Sequence, residues 1–329
     1  MKLLLLGGTG NLSRACAREA LARGCEVSLL TRGRHPEAAP EGAALVRGDA
    51  ADAAALGDLA RRRFDAVVDF LAFDAEDVAR ALTAFGGRVG QYVLISSASV
   101  YEKPPRSHLV TEETPLGNPF WEYARGKIAA EGELRGAVSD GRIVGTIVRP
   151  SYTFGETWIP TTSGTDYSVA KRIREGREIV VPGDGTSLFT LTHASDFARG
   201  LVGLLGNEAA FGEAFHVTSD EVLSWNQVHE TIGRVIGVEP RIVHVPSDVI
   251  ARIDARRGAS LLGDKAWSLV FDNSKLRRAV PGFEARVDFA TGIAESIRWF
   301  EADPKRQRID ADETVERILQ AWRRAMSAL

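Results

Sequence analysis

The opening thirteen residues limit the fold more tightly than any other stretch. Lys2-Leu3-Leu4-Leu5-Leu6 is long enough for one buried strand, and Gly7-Gly8-Thr9-Gly10-Asn11-Leu12-Ser13 follows without a break. From Leu12 to Arg23, the residues Leu12, Ala15, Cys16, Glu19, Ala20 and Arg23 recur at intervals of three and four, the period of a helix face. Strand, glycine turn and helix make the shape that holds a dinucleotide pyrophosphate. Glycines let the backbone approach the phosphates, and the helix N-terminus offers unpaired N–H groups and a partial positive charge. The spacing is G-x-x-G-x-x-S, from Gly7 through Gly10 to Ser13. A glycine motif carries little by itself; its place directly after a strand gives it weight.

The alternation continues. Strands are predicted at 26–31, 44–47, 65–71, 91–96 and 144–149, with helices near 51–63, 75–85 and 122–137. This rhythm predicts an α/β fold: a Rossmann-type, doubly wound parallel sheet with ligand at the carboxyl ends of the strands. After Pro150 the rhythm changes. Residues 152–190 are rich in Gly, Pro, Thr and aromatics. A helix at 193–205, a strand at 214–217, a helix at 225–236, a short strand at 239–245 and a charged helical end at 292–329 follow. The division expected is a dinucleotide-binding domain over 1–155, with 190–218 returning to it. A smaller C-terminal substrate lobe takes 156–189 and 219–329.

Composition narrows the partners. Of 329 residues, 44% are hydrophobic and 26% charged, ordinary for a globular chain. The net charge of −3 comes without a basic, aromatic-interleaved block, so no nucleic-acid partner is expected. The apolar start is too short for a signal core or membrane span, so no membrane partner is expected either. Cys16 and Cys25 make no disulfide framework or metal knuckle. No metal and a reducing cytoplasmic location are the expectation.

Tyr123 and Lys127 stand four apart, on one face of the predicted 122–137 helix. A free tyrosine, with a pKa of ~10, is a poor base at neutral pH. Lowering it to ~7 takes ~4 kcal/mol of differential interaction, which an ammonium and a cationic nicotinamide in a dry cleft can supply. Just upstream, the fifth strand ends in Ser96-Ser97-Ala98-Ser99, a hydroxyl-rich edge. Glycine loop, strand-end serine and Tyr-x-x-x-Lys, in this order, resemble the extended short-chain dehydrogenase/reductase family, also called the NAD-dependent epimerase/dehydratase family. The resemblance is densest over 3–155 and returns at Leu191-Thr192-His193-Ala194-Ser195-Asp196.

The resemblance implies roles. Tyr123 is the general acid/base and Lys127 lowers its pKa and holds the nicotinamide ribose. Ser97 hydrogen-bonds the reacting oxygen, with Ser96 and Ser99 as alternatives; Ser96 is also placed at the cofactor. Gly7, Thr9, Gly10, Asn11 and Leu12 contact the pyrophosphate. Asp49, with Ala50, meets the adenine. Leu71 and Ala72 flank the cofactor, and Pro150 to Tyr152 pass beside the nicotinamide. A homodimer through the Tyr-bearing helix and its neighbour is implied as well.

The departures sharpen the reading. Ser13 replaces the third glycine. The second strand ends in Thr31-Arg32-Gly33-Arg34, where NAD-preferring members carry an acid. Arginine suits a 2′-phosphate and a carboxylate repels one, so the cofactor expected is NAD(P), with NADP favoured through Arg32. Ala98-Ser99 replaces the acidic pair of the family's dehydratases, which leaves simple hydride chemistry. Phe189 occupies the place of an arginine that many UDP-sugar members use for the diphosphate, and Arg277, Arg278 or Arg286 are the substitutes on offer. His193 and His216 read as structural. Tyr101, Trp121, Tyr152 and Trp158 either line the cleft or pack the core. The function expected is NAD(P)-dependent epimerisation of a sugar or nucleotide-sugar through a keto intermediate. The alternative is an NADP-dependent reductase of a sugar-derived or other small carbonyl. A non-catalytic nucleotide- or RNA-binding relative is a third reading, against which Tyr123 and Lys127 argue.

Overall fold

The computed structural model describes residues 1–328. Its centre is a seven-stranded sheet. The first five strands are β1 (Lys2–Leu6), β2 (Glu26–Thr31), β3 (Ala44–Arg47), β4 (Ala66–Asp69) and β5 (Gln91–Ile95). The strands Gly145–Pro150 and Ala214–Val217 complete it, and the order across the sheet is Ala214–Val217, Gly145–Pro150, β5, β4, β1, β2, β3. Every pairing is parallel. After Lys2, β1 is apolar because helices cover both faces of the sheet. Leu3 and Leu5 pack with Cys16, Ala17 and Ala20 of α1 (Asn11–Ala22) and with Phe197 and Leu201 of α6 (Ala194–Leu204). Leu4 and Leu6 pack on the other side. There they meet α2 (Ala53–Ala60), α3 (Ala75–Phe85) and α4 (Glu122–Ser139). The strand order reverses direction of growth at β1, between β2 and β4. A crevice therefore opens at the carboxyl end of β1, where Gly7–Gly10 lies.

The predicted strand 65–71 stops at Asp69 for a local reason. The Asp69 carboxylate turns back to accept from the N–H groups of Leu71, at 2.8 Å, and Ala72, at 2.9 Å. The same carboxylate takes the Tyr92 hydroxyl at 2.8 Å.

The remaining chain forms a second packed region. The strand Glu178–Pro182 runs parallel to Arg241–Val245, and Tyr152–Phe154 runs parallel to Leu191–His193. α5 (Ser168–Arg174), α7 (Trp225–Ile236) and α11 (Phe289–Glu301) bury Val169, Ile173, Trp225, Ile232, Phe289 and Ile293 in one apolar cluster. α5 lies inside the stretch whose Gly, Pro and Thr content read as irregular. The charged C-terminal end divides into α11, a turn at Pro304–Arg306 and α12 (Asp312–Met326). Val315, Ile318 and Leu319 of α12 bury against Val180, Val245, Ile250 and Leu261, with Trp322 partly buried beside them. Burial of that kind contributes about 1.5–3 kcal/mol per side chain. Among the described residues no helix is long and apolar enough to cross a membrane, and no cluster of ligating side chains suits a metal ion.

Candidate active site

Two clefts meet at the carboxyl edge of the sheet and share Gly7, Thr9, Leu71 and Phe73. The glycine turn works by geometry. Gly7 has φ +89°, a left-handed conformation that other residues resist. A Cβ on Gly8 would stand 2.9 Å from Leu29. α1 then begins with no side-chain cap and no acid in its first turn, so its free N–H groups face the cleft. Ser13, in place of a third glycine, accepts the Gly10 N–H with its hydroxyl at 3.2 Å.

The first cleft, about 360 Å³, is lined by Arg32, Asp49, Ala50, Leu71 and Ala72, together with Leu30 and Leu56. Arg32 is exposed and, among the described residues, makes no ion pair. The Asp49 carboxylate accepts from its own loop, at Ala51 N–H, 3.0 Å. The cleft's other arginine, Arg80, is held by Asp77 at 2.8 Å.

The second cleft, about 600 Å³, gathers Gly7, Thr9, Gly10, Asn11, Leu12, Ser96, Ser97, Tyr123, Lys127, Pro150 and Tyr152. The residues expected at the site thus fall into these two adjoining clefts. Their side chains differ in what they are free to do. The Ser96 hydroxyl donates to Glu131 at 2.6 Å, and the residue is buried. The Tyr152 hydroxyl donates to the Thr161 carbonyl at 3.1 Å, which leaves its ring to the cleft. Ser97 caps the turn Ala98–Val100 and shares a hydrogen bond of 2.9 Å with Ser99.

Lys127 is nearly fully buried. Its ammonium donates to the carbonyls of Ala72, at 2.7 Å, and Ile95, at 2.8 Å. It lies 4.7 Å from the centre of the Phe73 ring and 5.8 Å from that of Tyr123. Burial pushes its pKa down to about 8. Its position depends on Gly126, where a Cβ would meet the Phe73 carbonyl at 2.6 Å. The glycine lets α4 seat against the Leu71–Phe73 loop. The Tyr123 phenol is held above its ordinary pKa by burial; Ser97 pulls it down by hydrogen bonding and Asp264 pushes it up. The chain by itself therefore keeps Tyr123 protonated.

Behind the cleft runs a buried polar chain. Glu131 accepts from Arg149 at 2.9 and 2.7 Å, and Arg149 donates to the Tyr101 hydroxyl at 3.1 Å. That hydroxyl is 3.1 Å from His216 Nδ1. Tyr101 and His216 are thus structural, and Tyr101 is absent from the cleft wall, whereas Trp121, Tyr152 and Trp158 line it. His193 caps α6, with Nδ1 2.8 Å from the Ser195 hydroxyl.

Two residues from the far part of the chain complete the wall: Asp264 and Lys265, in a π-helical turn at Leu261–Lys265. Phe189 and Phe271 stand nearby, and no arginine lines this cleft; Arg277, Arg278 and Arg286 do not reach it. The sequence carried no local signal for Asp264 or Lys265. Only a rare helix type, common at functional sites, marks them once folded.

Glycine cradle, uncapped helix, buried lysine and cleft-facing tyrosine define a nicotinamide-dependent enzyme of the short-chain dehydrogenase/reductase type. The profile of the NAD dependent epimerase/dehydratase family matches residues 3–217, and the chain belongs to that family. It is 30% identical over 290 residues to a 2'-dehydrokanamycin reductase of Streptomyces kanamyceticus, covering 87% of this chain and 81% of the relative. It is 29% identical over 259 residues to the chloroplast stem-loop binding protein of 41 kDa b of Arabidopsis thaliana, covering 74% and 65%. An epimerase structure from Methanothermobacter thermautotrophicus superposes with a TM-score of 0.77 at 19% identity, covering 92% of this chain and 93% of the other. The UDP-glucuronic acid 4-epimerase of Bacillus cereus, in complex with UDP-glucuronic acid and NAD, gives a TM-score of 0.74 at 16% identity, covering 92% and 99%.

Proposed function

We propose that this enzyme uses NADPH to reduce the carbonyl of a sugar-derived or other small compound. The observation that carries the reading is the wall facing Tyr123: aromatic side chains, Asp264 and Lys265, without a guanidinium. An epimerase must keep its keto intermediate bound while the second face turns toward the nicotinamide. A diphosphate clamped at a distance would provide that tether, and this wall has no clamp for one. The Streptomyces relative, by name a reductase, supports the same reading. Epimerisation remains the second reading, favoured by the family match over residues 3–217. The lack of a basic aromatic surface in the sequence and the buried Lys127 beside Tyr123 speak against the RNA-binding reading.

The cradle suits a dinucleotide. Gly7, Thr9, Gly10, Asn11 and Leu12 would hold its pyrophosphate, Asp49 and Ala50 its adenine end, and Arg32 a 2′-phosphate. Leu71, Ala72, Pro150 and Tyr152 would flank the rest. When bound, the reduced nicotinamide supplies the hydride. Ser97 donates to the substrate carbonyl oxygen and polarises it. Tyr123, held protonated, gives that oxygen its proton as the carbon is reduced. Lys127 keeps a third N–H for the ribose and places a positive charge near the phenolate left behind. Segments 156–189 and 219–329 supply the substrate side, against a cofactor domain of 1–155 joined by 190–218. A homodimer through α3 and α4 completes the reading, and light scattering tests it. The deciding experiment measures NADPH consumed per product formed. Stoichiometric consumption supports reduction, and turnover without consumption supports epimerisation.

A further inference from the structure

The carboxylate of Asp264 belongs to the cleft wall. The residue is only 8% exposed and faces the cleft that holds Tyr123. Among the described residues its carboxylate accepts no hydrogen bond and is paired with the Lys265 ammonium, 3.6 Å away. A carboxylate that lines the cleft with only an ion-pair partner keeps acceptor capacity for a ligand hydroxyl. Lys265, also 8% exposed, has its ammonium 4.7 Å from the centre of the Tyr152 ring and 5.5 Å from that of Trp121, and donates one long hydrogen bond, 3.5 Å, to the Ser260 hydroxyl, which leaves two N–H groups.

The backbone around the pair is fixed on both sides. The Gly263 carbonyl accepts from Asn118 Nδ2 at 2.7 Å, and the Lys265 carbonyl accepts from Trp225 Nε1 at 2.8 Å. A Cβ on Gly263 would stand 2.6 Å from Trp121 Cβ, so the turn lies directly on the start of α4. Both donors are buried. The turn is therefore preorganised, and the carboxylate between the two pinned carbonyls points where a substrate would lie.

The charged residues of the cleft wall are Lys127, Asp264 and Lys265. Lys127 is committed to backbone carbonyls. What faces a substrate is one acceptor-only group beside one donor-only group. Vicinal hydroxyls match that pattern, because each hydroxyl both donates and accepts. One hydroxyl would donate to Asp264 and its neighbour would accept from Lys265. We propose that Asp264 and Lys265 read adjacent hydroxyls of an uncharged, polyhydroxylated carbonyl substrate, excluding diphosphate-linked sugars. This inference rests on the reductase reading and names its substrate class.

The test is equilibrium binding, by calorimetry, to the NADP-loaded protein with three unreactive or slow probes: myo-inositol, cyclohexanol and UDP-glucose. The expected result is myo-inositol binding about tenfold or more tighter than cyclohexanol, with UDP-glucose no tighter than myo-inositol. Asp264→Ala should abolish the preference for myo-inositol, and Lys265→Met should reduce it. If Asp264→Ala fails to fold, Asp264→Asn keeps the shape without the charge, and the preference should fall about threefold or more. Equal binding of myo-inositol and cyclohexanol, a preference untouched by either Asp264 variant, or tight UDP-glucose binding would overturn the proposal. Binding is read without turnover, so its failure is separate from that of the reductase reading, which fails on NADPH stoichiometry.

Discussion

Asn118 Nδ2 donates to the Gly263 carbonyl at 2.7 Å, so one buried amide joins the approach to α4 to the π-helical turn. The same nitrogen reaches the Ser99 carbonyl at 2.8 Å, and Oδ1 accepts from Phe120 and Trp121 N–H at 3.2 and 3.1 Å. Asn118→Ala leaves several buried groups unpaired. A loss of about 2–4 kcal/mol is expected in denaturant unfolding, with a rise in KM for the carbonyl substrate as the turn loosens. A variant that unfolds at the wild-type midpoint with unchanged KM contradicts this role.

Tyr123→Phe keeps the ring and removes the proton donor. Turnover should drop by about 10²–10⁴ while cofactor affinity, measured by fluorescence titration, stays within a factor of about two. Near-normal turnover would dismiss Tyr123 as the acid.

Arg32→Asp replaces a cation by an anion at the end of β2. The ratio of kcat/KM for NADPH to that for NADH should fall by about 10- to 100-fold, the scale of one charged hydrogen bond. An unchanged ratio would mean that Arg32 does not meet the 2′ position.

Lys127 titrates near pH 8 because burial disfavours its charge. Below that pH it is an ammonium, which in the proposed reduction would stabilise the phenolate that Tyr123 becomes. The reduction rate should therefore fall as pH rises through about 8. A pH profile of kcat flat to pH 10 would oppose this assignment.

His229 offers a stability test away from the site. It is fully buried, donates Nδ1–H to the Trp225 carbonyl at 2.6 Å, and leaves Nε2 without a partner among the described residues. Burial pushes its pKa down to about 4. Between about pH 6.5 and 4 the unfolded chain binds a proton that the folded chain refuses, so stability declines as pH falls through that window. The group's share is about 3 kcal/mol. In His229→Gln, unfolding free energies at pH 7 and pH 4 should differ by correspondingly less than in the wild type.

What could be read in the sequence was local. β1, the glycine turn and α1 are contiguous, and Tyr123 and Lys127 share a helix face by spacing alone. The partners of Lys127 are 32 and 55 residues away, at Ile95 and Ala72, and nothing in Tyr-x-x-x-Lys foretells them. Nor does the sequence show that Gly126 is needed where α4 meets the Phe73 carbonyl, which a Cβ would approach to 2.6 Å. The resemblance places Ser96 at the cofactor; its hydroxyl turns to Glu131, 35 residues later in the chain. α5 was hidden because its apolar face answers to α7 and α11, elements that come later in the chain. Asp264 and Lys265 gain meaning only when Asn118 and Trp225 bring them to Tyr123.

The Glu131–Arg149 pair sets a limit on dissection. Both side chains are 1% exposed, and their surroundings are completed from afar by His216 through Tyr101. A fragment cut at residue 155 would keep both charges and forfeit the strand Ala214–Val217 that seals them. Water would then enter beneath α4, the helix that carries Tyr123. A fragment of residues 1–155 is therefore expected to be less stable than the whole chain. Its candidate active site is backed by the strand Ala214–Val217, which comes later in the chain.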